Sequence, residues 1–366
     1  AGTFRFAPHQ IFYLLVFLFI IISPVVVAYA LGYTINLHGS ISKVGGIFVK
    51  SSEGELSIYL NDEFQKKTSL LSNGALLTGL ASGNYSLHIE KEDFRSWIKD
   101  VKVEAGLVTE IRDILLVPDP IYLISATTEE AVLLSLAEQK TKDYQLNRRG
   151  DLLDLRESSG ANSPPKTIAT KIKFFKEVGG RVFLVSQQGF LAEFGPLDNS
   201  LETIGRLGFF IDERPFKFSA AGAYVFIIDS AGGGYLLENN KLKNAFHSEI
   251  LWAYLDTKES KILLVRKNGL EVVWLADNPR QPFQKKGEQE TVFSSQNSIK
   301  DARWFFGDNQ HIVIQTDKDV LLISAKKGED NPLVLVPKKV ESINTLPDLP
   351  EKIFIKKEGI NYKIEL

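Results

Sequence analysis

Cysteine and methionine are both missing from this chain of 366 residues. Without cysteine there are no disulfides, thiolate metal sites or cysteine nucleophiles, and the absence fits either side of a membrane. The lack of methionine extends to position 1, so a processed, truncated or altered chain is expected. An excess of either charge is missing too. Lys and Arg number 43 against 45 Asp and Glu, a formal net charge of −2, which weighs against a dedicated nucleic-acid binder with its concentrated basic face. Histidine is scarce: His9, His38, His88, His247 and His311 are all there are, no two at a metal-ligand spacing and none in an H-E-x-x-H. His88 and His311 fall in strand-like segments, where a hydrogen-bonded structural role is expected. There is no G-x-S-x-G elbow and no P-loop. Gly232-Gly233-Gly234 sits between strand-like runs and needs no phosphate to explain it, and Asp317-x-Asp319 reads as a hairpin turn, too short for a calcium loop. No catalytic residue, metal ligand or cofactor is assigned.

What is present, first, is a long apolar run. Residues 11–31 read IFYLLVFLFIIISPVVVAYAL without a charged side chain, long enough for the roughly 20 apolar residues that cross a bilayer as a helix. Pro24 lies inside it, which membrane helices tolerate, and Tyr13, Tyr29 and Tyr33 lie toward its ends, where amphipathic rings favour the interface. Ala28-Tyr29-Ala30 has the spacing of a signal-peptidase site. The run exceeds the typical apolar core of a signal peptide, about 7–15 residues, which favours an uncleaved anchor held in the lipid bilayer through residues 11–31. Arg5 before the span and Lys43 after it leave the charge bias nearly balanced. The expected orientation puts the short tail 1–10 in the cytoplasm and the bulk of the chain outside, at the cell surface or in the envelope. Residues 32–43 read as a linker.

Beyond the linker the pattern changes to period 2. Ile47 and Val49, then Leu56, Ile58 and Leu60, alternate with Phe48, Lys50, Ser57, Tyr59 and Asn61, and Tyr85, Leu87 and Ile89 alternate with Ser86, His88 and Glu90. That is the pattern of half-buried strands. Glu53-Gly54 reads as the turn between the first two, Asn61-Asp62 ends the second, and Ala81–Asn84 is a further turn. WIKDVKVEAG and LVTEIRDILLVP are also strand-like, so residues 44–117 are expected to form a small β-sandwich.

On these residues the segment 44–117 resembles a PEGA domain, a small bacterial β-sandwich named for a Pro-Glu-Gly-Ala turn. The matching turn is Ser52-Glu53-Gly54-Glu55, which keeps the Glu-Gly and lacks the proline and alanine. LSIYLND, GLASGNYSLHIEKEDFRSW and VKVEAGLVTEI match the family's succeeding strands, its Gly-x-Tyr segment and its closing hairpin in order and spacing. An apolar anchor just before such a domain is similar to bacterial membrane-anchored PEGA proteins. The resemblance implies an envelope-associated accessory module and no catalytic residues. Asn84-Tyr85-Ser86 fits a glycosylation sequon, a chance match if the source is bacterial as the resemblance implies.

After Pro118-Asp119-Pro120 hairpins recur. RVFLVSQQGFLAEF, AYVFIIDSAGGGYLLE, KILLVRKNGLEVVWL, HIVIQTDKDVLLIS and KIFIKKEGINYKIE each pair two apolar runs across a polar or glycine turn, and KDYQLNRRGDLLDLRE is a weaker copy. Asn268-Gly269 reads as a tight turn with both residues at positive φ. TKIKFFKE, PFKFSAA, EILWAYLD and DARWFFGD supply a strand just before four of the hairpins. A period of roughly 40–50 residues with several strands per unit is the signature of β-propeller blades, so residues 121–366 are expected to form a propeller of about six blades, with five or seven as alternatives. The last unit lacks a strand, and IYLIS at 121–125 is expected to complete it. The segment is similar in general pattern to a WD40-like or TolB-like bacterial propeller, although the Trp-Asp and Gly-His signatures of true WD40 repeats are absent.

The fold class expected is therefore mainly β: a transmembrane helix, a PEGA-like sandwich and a propeller. The function expected is a binding or scaffolding platform for a protein or an envelope glycan, with no nucleic-acid partner and no enzymatic activity. A cell-surface propeller hydrolase or lyase acting on glycan or peptide is the alternative, for which carboxylates gathered from several blades would speak, and passive spacing of a surface assembly is a third reading. Trp252, Trp274 and Trp304 could form a carbohydrate platform, but their apolar neighbours point to core packing.

Overall fold

A computed structural model describes residues 8–30, 32–35, 41–69, 72–138, 144–149, 152–157, 167–178, 181–195, 200–206, 217–229, 231–246, 249–256, 260–281, 283–326 and 332–366. The chain divides into two compact units, Ala1–Ile121 and Tyr122–Leu366.

The first unit begins with the helix Pro8–Ala30, which contains Pro24. Its apolar side chains, from Ile11 to Val27, are exposed to a degree that water does not favour. The helix is long and apolar enough to span a membrane, a property that an anchor shares with a secretory signal near an N-terminus. The segment expected as a plain linker is structured in part. Tyr33–Ile35 and Ile41–Lys43 pair antiparallel, with Tyr33 opposite Lys43 and Ile35 opposite Ile41, and Val44 donates its amide to the Gly32 carbonyl at 2.7 Å. β-branched residues on both arms favour that pairing.

Seven further strands form two sheets. One carries Gly74–Leu80, Gly45–Ser51 and Val108–Ile114 in that order; the other carries Glu63–Lys67, Ser57–Leu60, Gly83–Glu90 and Trp97–Val103. Alternate side chains, among them Ile47, Val49, Ile58, Leu60, Leu87, Ile89, Val101 and Val103, meet in a single core. Two expectations need correction. Ser52–Glu55 is no hairpin turn: the strands on either side of it lie in different sheets, and Val108–Ile114 pairs in parallel with Gly45–Ser51. The supposed closing hairpin likewise splits, since Trp97–Val103 and Val108–Ile114 belong to different sheets. Period 2 fixes which face of a strand is buried and says nothing about its partner. Asn61-Asp62 is a true two-residue hairpin, both residues at positive φ (50° and 66°), joining Leu60 to Glu63. The glycine pair at the start of the unit is required by close approach. A Cβ on Gly45 would meet the Glu104 carbonyl oxygen at 2.4 Å, and one on Gly46 the Leu77 oxygen at 2.7 Å.

In the second unit six antiparallel sheets follow one another among the described residues. The first is Tyr144–Arg149, Leu152–Glu157 and Thr167–Ala169. Four four-stranded sheets come next, opening with Ile172–Val178, Lys217–Ala221, Ile250–Leu255 and Ile299–Phe305, and each pairs its strands in chain order. The last is made of Ser342–Leu346, Leu349–Lys357 and Ile360–Glu365, and its fourth strand is Ile124–Ser125 from the start of the unit, with Ile124 opposite Lys363 and Ser125 opposite Tyr362. The arrangement is propeller-like. Its middle strands show why. In Tyr224–Ile228, Val225 and Ile227 join a cluster with Phe183 and Val185 of the preceding sheet. Phe226 and Ile228 join another with Ile262 and Leu264 of the following one. Both faces of the sheet are covered by neighbours, so the middle strands are continuous apolar runs.

The helix Thr128–Glu138 was not expected. Thr127 and Glu130 make a capping box: the Thr127 amide donates to Glu130 Oε2 at 2.7 Å and the Glu130 amide to Thr127 Oγ1 at 3.3 Å. Leu134 packs against Leu346 and Phe354 of the last sheet. Glu130 also accepts hydrogen bonds from Lys352 Nζ at 2.7 Å and Lys363 Nζ at 3.0 Å. Strand, apolar helix face and ion triad therefore all tie the beginning of this unit to its end. The turn expected at Asn268-Gly269 is shifted by one residue: Gly269 pairs with Arg266, so Lys267 and Asn268 turn the chain, and neither Asn268 nor Gly269 has positive φ.

Candidate functional site

The first strands of successive sheets lie against one another: Ile172–Val178 against Lys217–Ala221, that against Ile250–Leu255, that against Ile299–Phe305, and that against Ser342–Leu346. Two adjoining cavities open along these inner strands. One, of about 270 Å³, is lined by Lys217, Phe218, Trp252, Tyr254 and Arg303 among others; the second, of about 240 Å³, shares Tyr254 and Arg303 and extends to Thr345 and Pro347.

Period 2 brings these side chains together. Trp252 and Tyr254 are two apart on one strand and stack with ring centroids 6.4 Å apart and planes 19° from parallel. The Lys217 ammonium stands 3.8 Å from the Trp252 ring and the Arg303 guanidinium 4.3 Å from the Tyr254 ring. The result is a file: cation, indole, phenol, cation. Asp301, two residues before Arg303, fixes its far end, accepting from Arg303 Nε at 2.9 Å and from the Tyr254 hydroxyl at 3.0 Å. Trp304 points the other way into the core and donates its indole N–H to the Tyr254 carbonyl at 2.8 Å, pinning the strand that carries both rings.

The file carries two positive charges and one negative. Lys217 donates one hydrogen bond, to the Leu251 carbonyl at 2.8 Å, and has no carboxylate within salt-bridge distance among the described residues. Burial pushes its pKa down, against the pull of Asp301. Burial also pushes the Tyr254 hydroxyl up, outweighing Arg303, with Asp301 adding to the rise; the phenol remains a neutral donor. Such a surface attracts a single negative charge beside an apolar group.

The residues singled out by sequence are placed as follows. Of the three tryptophans expected in the core, Trp304 (1% exposed) and Trp274 (6%) are there, whereas Trp252 is 38% exposed on an inner strand. Its apolar neighbours point away from it to the other face. Buried Lys261 lies between the two core indoles, 5.1 Å and 4.9 Å from their rings, and donates to the Asn309 carbonyl at 2.6 Å, an arrangement that supports packing. Ser52, Glu53, Gly54 and Glu55 lie on the crossing between the two sheets: Glu53 pairs with Lys91, its amide donates to Ser51 Oγ, and the left-handed residue is Glu55 (φ 60°), not Gly54. His88 Nε2 lies 3.2 Å from Glu90 Oε1 without a hydrogen bond to it, and His311 Nδ1 is hydrogen-bonded to Asp308. The side chain of His9, and His38 and His247, lie outside the described residues. Asp229 organises the triple-glycine turn, accepting from the Ala231 and Gly233 amides, both at 2.8 Å. Asp317 and Asp319 stand at the hairpin between His311–Thr316 and Val320–Ser324. Among the described residues no three His, Asp or Glu side chains gather as a metal site would require. Lys217 and Arg303 were missed, since they lie 86 positions apart and only the alignment of inner strands makes them neighbours.

No protein-family model and no curated protein sequence matches the chain. Among solved structures it is similar to a chain in a crystal structure of a mitotic checkpoint complex, at a TM-score of 0.28 and 8% identity, over 59% of this chain and 86% of that one. A likeness that low carries no argument.

Proposed function

We propose that the chain is a single-span envelope protein in which a PEGA-like sandwich and a six-bladed propeller form a non-enzymatic binding platform for a protein or envelope glycan. One observation carries this reading: the file Lys217, Trp252, Tyr254, Arg303 on the inner strands, where two cations and an exposed indole border a cavity. A propeller presents inner-strand and loop residues to ligands while its middle strands hold the shape. The six successive sheets support the blade count, and the strand Ile124–Ser125 in the last sheet supports closure. The exposed apolar helix Pro8–Ala30 is long enough for the span of such an anchor; the orientation proposed, with the N-terminus inside, rests on Arg5 before the span. The PEGA part of this reading rests on the sequence resemblance of residues 44–117 and on their folding as two sheets around one core.

Cross-linking the full chain in native membranes and purifying it in detergent tests the platform. A recurrent partner, lost when Trp252 and Arg303 are replaced, is expected. Salt-resistant, detergent-sensitive membrane association is expected as well; a soluble product beginning near residue 31 would contradict the anchor.

A further inference from the structure

The chain that leaves the apolar helix is bonded into the sandwich. Val44 donates to the Gly32 carbonyl at 2.7 Å and accepts from the Gly106 amide at 2.9 Å. Gly32 stands just beyond the helix Pro8–Ala30, and Gly106 lies in the turn between Trp97–Val103 and Val108–Ile114. Two backbone hydrogen bonds in series therefore join the helix exit to that turn. The turn is closed by the Leu107 amide donating to the Glu104 carbonyl at 3.1 Å, and the Leu107 carbonyl accepts from the Gly46 amide at 3.0 Å. It is held at the exit from both sides. Its side chains are costly to leave in water: Leu107 is 55% exposed and Val108 41%, and Tyr33, next to Gly32, is 40% exposed. Lys43 lies across Gly106, its Cε and Nζ filling the space a Cβ there would need, and it has no ion partner among the described residues. The acid of the turn, Glu104, is paired with Lys102 at 3.1 Å.

We infer that the turn 104–108 is seated in the phospholipid headgroup layer of the leaflet from which the helix emerges, with Leu107 against the upper acyl chains and Lys43 toward the lipid phosphates. The inference rests on the anchor in the proposed reading and extends it from the helix to the sandwich. The headgroup layer is roughly 5–8 Å deep on each side of a bilayer. Hydrogen-bonded backbones lie about 5 Å apart, so the neighbours of the helix exit fall within reach of that layer. Aliphatic, tyrosyl and ammonium side chains together are what such a layer favours. The sandwich is thus laid on the bilayer and does not hang from a free tether.

The absence of cysteine allows a single one to be placed and labelled with an environment-sensitive dye. The full chain, in vesicles of phosphatidylcholine and phosphatidylglycerol, carries the dye at Leu107→Cys, Ile98→Cys or Phe19→Cys. All three side chains are exposed, so the core is left intact. Ile98 is on the strand that leads into the turn, roughly 16 Å along it from Val103. Quenching is read with phosphatidylcholine bearing a doxyl nitroxide, near the headgroup or deep in the acyl chain, and with acrylamide in the water. The dye at 107 is expected to emit at shorter wavelength than at 98, to be quenched several-fold more by the shallow nitroxide, and to be shielded from acrylamide. Equal quenching at 107 and 98 overturns the inference. So does shielding of 107 from both quenchers, which is the result if a protein surface covers the turn. If the deep nitroxide quenches position 19 while 107 behaves like 98, this inference fails and the anchor stands; if neither 19 nor 107 is quenched from the lipid, the anchor itself fails.

Discussion

The two units bury their apolar residues in different ways. In the first, seven strands alternate and every inward side chain joins one cluster between two sheets. In the second, middle strands such as Tyr224–Ile228 and Lys261–Arg266 are buried on both faces, and successive residues belong to separate clusters on either side of their sheet. A single shared core makes the first unit depend on contacts between strands far apart in sequence. The second is assembled from consecutive strands and depends on long-range pairing mainly where Ile124–Ser125 and Glu130 meet the last sheet. A fold of that kind leaves its inner strands free to vary, and it is there that the cationic and aromatic file is found.

The largest effect expected is in the second unit. Phe226→Ala empties a fully buried site between two sheets and should cost about 3–5 kcal/mol. Leu87→Ala, fully buried in the first unit, should cost about 2–5 kcal/mol. Urea unfolding of the full chain, followed with protease-sensitive sites in each unit, is expected to show each substitution lowering the transition of its own unit. If both lower one common transition, the two cores are not the independent entities described above.

Glu130 sharpens the comparison at the join. Burial alone would raise its carboxyl, but hydrogen bonds from Lys352, the Thr127 backbone and Lys363 bring it down to about 2, from an ordinary 4.5. A depressed carboxylate stabilises the fold fully above its ordinary pKa and loses that contribution as pH falls through the folded value. Stability of the second unit should therefore decline between about pH 4.5 and 2 by of order 1–3 kcal/mol. Glu130→Gln should be less stable than the parent at pH 7 and show a flatter acid limb. An unchanged acid limb would mean that the triad does not hold the two ends of the unit together.

The smallest effect concerns the crossing between sheets in the first unit. Glu55 has φ of 60°, a conformation that costs an L-residue roughly 1 kcal/mol. Glu55→Gly is expected to raise stability by up to about that amount, less what glycine adds to the unfolded chain's entropy. A drop in the melting temperature of the first unit would contradict the local strain.

How much of this was legible in the sequence follows from the same contrast. Hairpins such as Arg181–Ser186 with Phe190–Gly195, and His311–Thr316 with Val320–Ser324, could be read because their partners are adjacent in the chain. The return of residues 121–125 to the last sheet could be read because one strand was missing there. The pairing of Gly45–Ser51 with Val108–Ile114 could not, since alternation reports burial and not partnership. The helix Thr128–Glu138 does carry a signal, Thr127-x-x-Glu130 before an apolar stretch, set among strand repeats that dominate the pattern around it. The site was the least legible part. Trp252 looked like a core residue, and nothing in the sequence joins Lys217 to Arg303; the lateral stacking of inner strands does that.

The account's central claim is that function lies on the inner strands of the second unit. It is tested most directly by placing a photo-reactive amino acid at one of two positions, Trp252 on an inner strand or exposed Leu242 on the outer strand Lys241–Phe246, and irradiating native membranes. Adducts to a discrete partner from position 252, absent from position 242 and abolished by Arg303→Gln, are the result expected. Adducts from position 242 with none from 252 would contradict the claim.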